Sequence, residues 1–568
     1  MSGPPAQGGE LDLALIDTFV PRCMGSRAVL APQIGRKEGA MPDFIVVGGG
    51  SAGCAVAGRL SEDPDASVTL FEAGPRDSSI WIRFPVTFYK SFKSSLMQWY
   101  KVETLKHQND LETQVGQARV LGGGSSLNGL IYMRGAPSDY DRWAAHGAEG
   151  WGYKDVLPYF RKAENNEVYS NEAHGQDGPL CVSNQQHTLP LTKAWVKACQ
   201  EAGLPFNPDF NSGELKGAGF YQLTTKNGRR CSSADAYIHP ARRRRNLNVV
   251  TNKQVTKIII EGGRATGVQY LDNGRLLTMR AEREVVVSSG AIGSPRLLLL
   301  SGIGPASDLK RIGVDVVHDL PGVGQNLQDH TDCFLIYNLK SDTSYDKYKK
   351  LRWQVLAGME YALFGSGPVT SNICEGAAFW WGDKSDPTPD LQYHFLAGAG
   401  IEEGVETTAS GNGCTLNVYA CRPKSRGRIA LRSSDPTVPP LVDPNYLSHP
   451  YDVDRIVDGI RLGQEIMAQP SMQKFVSEAH LPERPLRTRA ELEAFARKYT
   501  QGAYHLSGAC KIGTDEMAVV DPQLRVHGID GLRVADTSVM PFVTSSNLNA
   551  PAIMIGERAA DFVKGNRI

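Results

Sequence analysis

The feature that most constrains this chain is a glycine cluster set between an apolar tetrapeptide and a helix-forming run. Phe44-Ile45-Val46-Val47 leads into Gly48-Gly49-Gly50-Ser51-Ala52-Gly53, and Ala52 to Leu60 continues as a predicted helix. A second apolar strand, Val68-Thr69-Leu70-Phe71, follows and closes on Glu72. This is a βαβ unit of about thirty residues, the expected opening of a doubly wound parallel sheet. The glycines fit G-x-G-x-x-G. Gly48 permits the tight turn, Gly50 lets a pyrophosphate approach the backbone, and Gly53 lets helix and strand pack closely. Ser51 opens the helix, whose N-terminus offers N–H groups and positive dipole to a phosphate. Glu72 can accept both ribose hydroxyls. Such a glycine pattern alone also occurs as a structural loop; with the flanking strands and Glu72 it points to a dinucleotide.

At 568 residues the chain is long enough for two connected domains. Lys+Arg and Asp+Glu both number 61, so no field draws the chain to nucleic acid or an acidic membrane. Arg242-Arg243-Arg244-Arg245 reads as a solvated turn. The 10 cysteines form no CxxC or Cys/His ligand spacing, so neither zinc nor a disulfide framework is expected, and no metal site is assigned. Free thiols fit a reducing compartment. No run of apolar residues is long enough to span a bilayer. Residues 1–40 read as an extension or upstream start; an arm packing on the body is the alternative.

Further strands are expected at 248–251, 257–261, 267–270 and 284–288, then a helix at 294–300. Between about 332 and 480 the character changes. Leu351, Val355, Met359 and Leu363 recur at four-residue spacing, predicting an amphipathic helix stopped by Gly365-Ser366-Gly367-Pro368. Asp390 to Phe395 alternates like a half-buried strand. This region reads as an α+β lobe with a sheet over the active site. The segment 531–564 gives a strand, a loop and a helix from Pro551 to Val563 that rejoins the first domain.

Two further glycine loops favour flavin over nicotinamide. Ala118-Arg119-Val120-Leu121-Gly122-Gly123-Gly124-Ser125-Ser126-Leu127-Asn128 can set backbone beside a flat ring, and Gly290-Ala291-Ile292-Gly293-Ser294-Pro295 leads to Ser301-Gly302-Ile303-Gly304. With Gly322-Val323-Gly324-Gln325-Asn326-Leu327-Gln328-Asp329-His330, these runs resemble the signatures of the glucose–methanol–choline (GMC) flavin oxidoreductases, from about Pro42 to the C-terminus. Leu351 to Trp381 and Gly217 to Ala241 are most similar to bacterial L-sorbose dehydrogenase-like members, with choline dehydrogenase-like members next.

The resemblance implies an α/β FAD-binding Rossmann-like domain with an α+β substrate-binding domain built on an antiparallel sheet. It divides the chain into an extension (1–40), FAD-binding segments (41–165, 224–331 and 501–568) and substrate-domain segments (166–223 and 332–500). Gly48, Gly50, Ser51, Gly53 and Glu72 would hold the adenosine diphosphate. Arg119, Gly123, Ser126 and Asn128 lie in the loop expected along the flavin, Val255 would meet the adenine through its backbone, and Asp536 would lie near the linker. Leu127 stands where some members carry a histidine bonded to flavin, so FAD is expected to be non-covalent.

The resemblance also puts His505, in Tyr504-His505-Leu506-Ser507-Gly508, at the catalytic base, and Asn547 at its partner's place. The chemistry suits them: an alcohol carbon releases hydride when its hydroxyl proton also leaves, and an imidazole can take that proton while an amide holds the alkoxide. Without the resemblance, His505 is one histidine of 12 and Asn547 reads as a helix cap before Pro551. Light-driven fatty acid decarboxylases of the family use a cysteine in a stretch like that of Cys374, but they need an arginine where His394 stands and lack the histidine at 505.

The expected activity is FAD-dependent oxidation of a sugar or primary alcohol, L-sorbose-like, to the carbonyl. Electrons would pass to a quinone, another carrier or O2. Alternatives are a choline-type or aryl/aliphatic alcohol oxidase, and a flavin-containing lyase on the same fold. The expected location is cytoplasmic, with peripheral attachment to the inner membrane as an option.

Overall fold

The computed structural model describes residues 41–400, 407–408 and 410–565; the extension 1–40 lies outside the described residues. Phe44–Val47 (β1), Ser51–Leu60 (α1) and Val68–Phe71 (β2) form the βαβ unit. All four residues of each strand are buried, as befits strands covered on both faces. β1 sits centrally in a five-stranded parallel sheet ordered Leu247–Val250, β2, β1, Glu284–Val287, Leu532–Val534. A three-stranded antiparallel meander, 254–280, is inserted between its strands Leu247–Val250 and Glu284–Val287.

The second lobe is an antiparallel sheet ordered Val476–Leu481, Thr331–Leu339, Gly413–Ala420, Leu391–Leu396, Cys374–Trp380, Gly217–Phe220, with Thr500–Gly502 also paired to Thr331–Cys333. Alternation sorts its side chains. Leu391, Tyr393 and Phe395 join the apolar core with Trp195 and Val457 from helices Pro190–Glu201 and Pro450–Met467. Trp195 stacks on Phe395, ring centroids 5.1 Å apart. On the opposite face His394 and Leu396 line a cavity between the two lobes. The fold is thus the expected Rossmann-like domain with an antiparallel-sheet lobe.

Two local expectations change. The helix at 351 exists, Leu351–Phe364, but its four-spaced apolar stripe faces away from the protein. Only Ala357 is buried, with Trp353 and Tyr361 half-buried on the same inner line. The last helix begins at Asn549 rather than Pro551, and Asn547 is not its cap: Leu548 takes that position without a side-chain hydrogen bond. The nine described cysteines are free and buried. In the arginine run, Arg244 donates to the Gly58 carbonyl and to Ser61 Oγ, so it is a packed contact within the turn. No helix among the described residues is long and apolar enough to cross a membrane.

Candidate active site

Two glycine loops are fastened together at the head of the cavity. Gly48 has φ of +103°, which favours glycine, and a Cβ on Gly53 would stand 1.9 Å from the Gly48 carbonyl oxygen, so α1 reaches its turn only with glycine there. Gly122 N donates to Gly49 O (2.7 Å). A Cβ on Gly123, itself at φ +55°, would meet the Gly50 Cα at 2.6 Å. Gly50 differs: a Cβ there meets nothing closer than 4.0 Å and would project into open cavity. α1 starts with no side-chain cap, leaving its first N–H groups without an intrahelical partner beside that space.

The cavity has a volume of about 560 Å³, and Gly48, Gly50, Ser51, Glu72, Arg119, Gly123, Asn128, Val255, Asp536, His505 and Asn547 all border it. Glu72 accepts from Gly49 N (2.9 Å) and Gly74 N (2.7 Å), leaving each oxygen a second lone pair for a hydroxyl. Burial pushes this carboxyl up to about 7 against those hydrogen bonds. Asp536 accepts from Gly290 N (2.9 Å), Ser294 Oγ and Ser538 N (2.8 Å), and burial raises it too. Arg119 donates to Gln98 and Gln254, and Asn128 accepts from Arg230 Nη1 (2.7 Å). Two sequence-predicted residues stand outside the lining. Gly53 acts through packing. Ser126 is fully buried and turns its hydroxyl back to Leu121 O (2.8 Å), so it fastens the loop rather than bordering the cavity.

At the other end His505 and Asn547 meet. Asn547 Nδ2 lies 3.2 Å from His505 Nε2, and Asn547 Oδ1 accepts from Gln392 Nε2 and Ser546 Oγ, which aims its N–H groups at the imidazole. The tautomer of His505 follows from its neighbours. His330 Nε2 is 3.0 Å from the Cys421 carbonyl oxygen and must donate to it. A neutral His330 then accepts at Nδ1, so His505 Nδ1, 2.9 Å away, is the donor. His505 Nε2 is left as the basic nitrogen, on the side of Asn547. Burial is the main force holding the His505 imidazole well below the usual histidine range, with the charges His330 and His394 would carry opposing protonation further. Burial likewise lowers His330 to about 4 and His394 to about 3. All three are neutral at pH 7.

Sequence reasoning quoted Asp329-His330 within a motif but assigned neither a role. Asp329 Oδ1 accepts from the His505 backbone N (2.7 Å), and its Oδ2 accepts from Tyr446 OH (2.6 Å). This buried carboxyl, raised to about 7 by desolvation, fixes the His505 main chain while His330 fixes its ring. Cys374, His394, Leu396 and Tyr419 from the antiparallel sheet complete this end. Away from the cavity, Asp77, Asp235 and His239 cluster within ligand distance, but each His239 nitrogen meets a carboxylate at 3.1 Å. That is an imidazolium ion pair, its pKa raised to about 10 chiefly by the hydrogen bond to Asp235.

Residues 42–332 and 423–556 match the N-terminal and C-terminal family models of the GMC oxidoreductases. The chain belongs to the GMC oxidoreductase family. Among relatives of this GMC oxidoreductase, an oxygen-dependent choline dehydrogenase of Sinorhizobium fredii is 42% identical over 528 residues, covering 92% of this chain and 96% of its own. An alcohol dehydrogenase [acceptor] of Pseudomonas putida is 40% identical with the same coverage. A solved formate oxidase of Aspergillus oryzae, studied for FAD modification, superposes with a TM-score of 0.88 at 28% identity, over 93% of this chain and 99% of that one.

Proposed function

We propose that this GMC oxidoreductase oxidises an alcohol CH–OH group to the carbonyl, with His505 as base, Asn547 as alkoxide partner and FAD held non-covalently. The observation that carries the reading is the basic Nε2 of His505, fixed by the His330 relay and opening beside Asn547 onto the cavity that starts at the glycine turn. The residues fit FAD: Gly50 opens onto space, uncapped N–H groups of α1 suit a pyrophosphate, and Glu72 suits a ribose. Arg119, Gly123, Asn128, Val255 and Asp536 would border its remaining length. When bound, FAD supplies the two-electron acceptor that takes the hydride. Leu127, buried on the cavity wall, has no atom able to bond to it.

In this reading the substrate hydroxyl donates to His505 Nε2 and accepts from Asn547 Nδ2. Transfer of the proton to Nε2 leaves an alkoxide that Asn547 stabilises and that expels hydride from its carbon. The family supports an alcohol or choline oxidoreductase; among its substrates we keep an L-sorbose-like sugar or a primary alcohol, and choline. Reduced enzyme would pass electrons to a quinone, another carrier or O2. A quinone requires contact with a bilayer, so peripheral attachment to an inner membrane belongs to the dehydrogenase form of the reading.

The test is anaerobic mixing of the holoenzyme with L-sorbose, choline and a series of primary alcohols. At least one should bleach the flavin band, and His505→Ala should slow that bleaching about 10²- to 10⁴-fold. If the flavin stays oxidised with every substrate, or the variant matches the parent, the assignment fails. Turnover of a substrate with the flavin permanently oxidised would mark a lyase instead.

A further inference from the structure

Fourteen large apolar residues are exposed among the described residues, and six of them sit on the one helix Leu351–Phe364: Leu351, Val355, Leu356, Met359, Leu363 and Phe364. Exposure reaches 66% at Leu351, 70% at Leu363 and 75% at Phe364. A contiguous apolar surface of this kind marks a contact site rather than ordinary surface scatter. The 14-residue helix, about 21 Å long, is gripped only along the line Trp353, Ala357, Tyr361, so its apolar residues point outward over a broad convex face.

We propose that this face seats on an anionic phospholipid bilayer. Charge at the head of the helix favours an anionic surface. Lys347, Lys349, Lys350 and Arg352 gather at the start of the helix. Lys349 and Lys350 pair with Asp346 and Asp342, while Lys347 and Arg352 have no carboxylate partner among the described residues. Side chains suited to a bilayer interface stand beside it. In a neighbouring segment Lys90 lies 4.2 Å over the Trp81 ring beside the exposed Ile80. Tryptophan and lysine edging an apolar helix suit the headgroup level of a bilayer.

The two segments are joined. Phe84 packs its ring on Tyr361 (5.2 Å), and Arg229, next to an Arg230 that donates to Ile82 O, donates to Tyr361 OH (2.9 Å). Phe88 and Phe92, one and two turns beyond Phe84, line the cavity. The docking face and the cavity wall are therefore parts of one packed unit. On the dehydrogenase form of the proposed reaction, that puts the cavity next to the phase in which a quinone dissolves.

Flotation of the holoenzyme with vesicles of phosphatidylethanolamine and phosphatidylglycerol, against pure phosphatidylcholine, tests the proposal. The protein should float with the anionic vesicles, and Leu356→Glu, Met359→Glu and Leu363→Glu together should cut the floated fraction at least about tenfold. The triple variant should keep the parent's melting temperature and its alcohol-dependent flavin reduction, which separates this outcome from failure of the proposed reaction. A parent that stays out of the lipid fraction, or a variant that floats equally well, overturns the proposal. So does a parent that is a dimer in solution, binds no lipid and becomes monomeric on the same substitutions; a second copy would then cover the face.

Discussion

At the scale of single residues, the site turns on one lone pair. His505 Nε2 is basic only because Cys421 O, through His330, claims the proton position at Nδ1. Because burial and the neighbouring histidines depress the His505 pKa, the neutral base persists as pH falls. The acid limb of kcat/KM should therefore lie below the ordinary histidine value of about 6.5. His330→Ala removes the acceptor for Nδ1–H and a repulsive neighbour. It should lower the rate of flavin reduction about tenfold or more and move the acid limb upward, read from stopped-flow rates across pH. An unchanged limb would show that the relay does not set the tautomer. The pair His505 and Asn547 was legible because each sits in a recognisable run. The relay was not, since 175 positions separate His330 from His505, and they meet only once the chain pairs Thr331–Cys333 with Thr500–Gly502 and Gln328 with Ser507. For a related reason the motif named Ser126 without giving the direction of its hydroxyl, which turns back to Leu121 O.

At the scale of elements, the two ends of the glycine turn answer to different constraints. Gly53→Ala would drive a methyl onto the Gly48 carbonyl, so a folded-state melt should show a loss of several degrees or no cooperative transition. Gly50→Val meets no protein atom at its Cβ, so the chain should fold with a near-parental melt yet purify with little flavin, read as the absorbance ratio of flavin to protein. Equal flavin content in the Gly50 variant would remove the cofactor from this crevice. The first strand–turn–helix was legible because its apolar and glycine positions serve both local geometry and global packing. The helix at 351 was legible as a helix and illegible in orientation. Four-residue spacing marks a stripe, but whether it meets a core or the outside depends on Trp353, Ala357 and Tyr361, which carry the inner contact.

At the scale of the whole molecule, the cavity is walled by pieces far apart in the chain, around residues 47–73, 116–131, 288–300 and 503–552 of one lobe and Cys374, His394, Leu396 and Tyr419 of the other. A ligand touching all of them should tie both lobes together. Acid precipitation should leave all flavin colour in the supernatant, and the apoprotein should melt on the order of 5 °C lower than the holoenzyme; colour retained in the pellet would mean a covalent link at some residue other than Leu127. The glycine turn itself shares this dependence. Ser51 Oγ donates to Asn549 Oδ1 (2.8 Å), a Cβ on Gly556 would meet the Ala52 carbonyl oxygen at 2.5 Å, and buried Glu557 accepts from Arg59 and Tyr237. A nascent chain on the ribosome can thus form β1, α1 and β2 early, but the back wall behind them arrives some five hundred residues later. Loading of the cofactor must await synthesis of that helix, and a message cut short before it yields a receptor with one side missing.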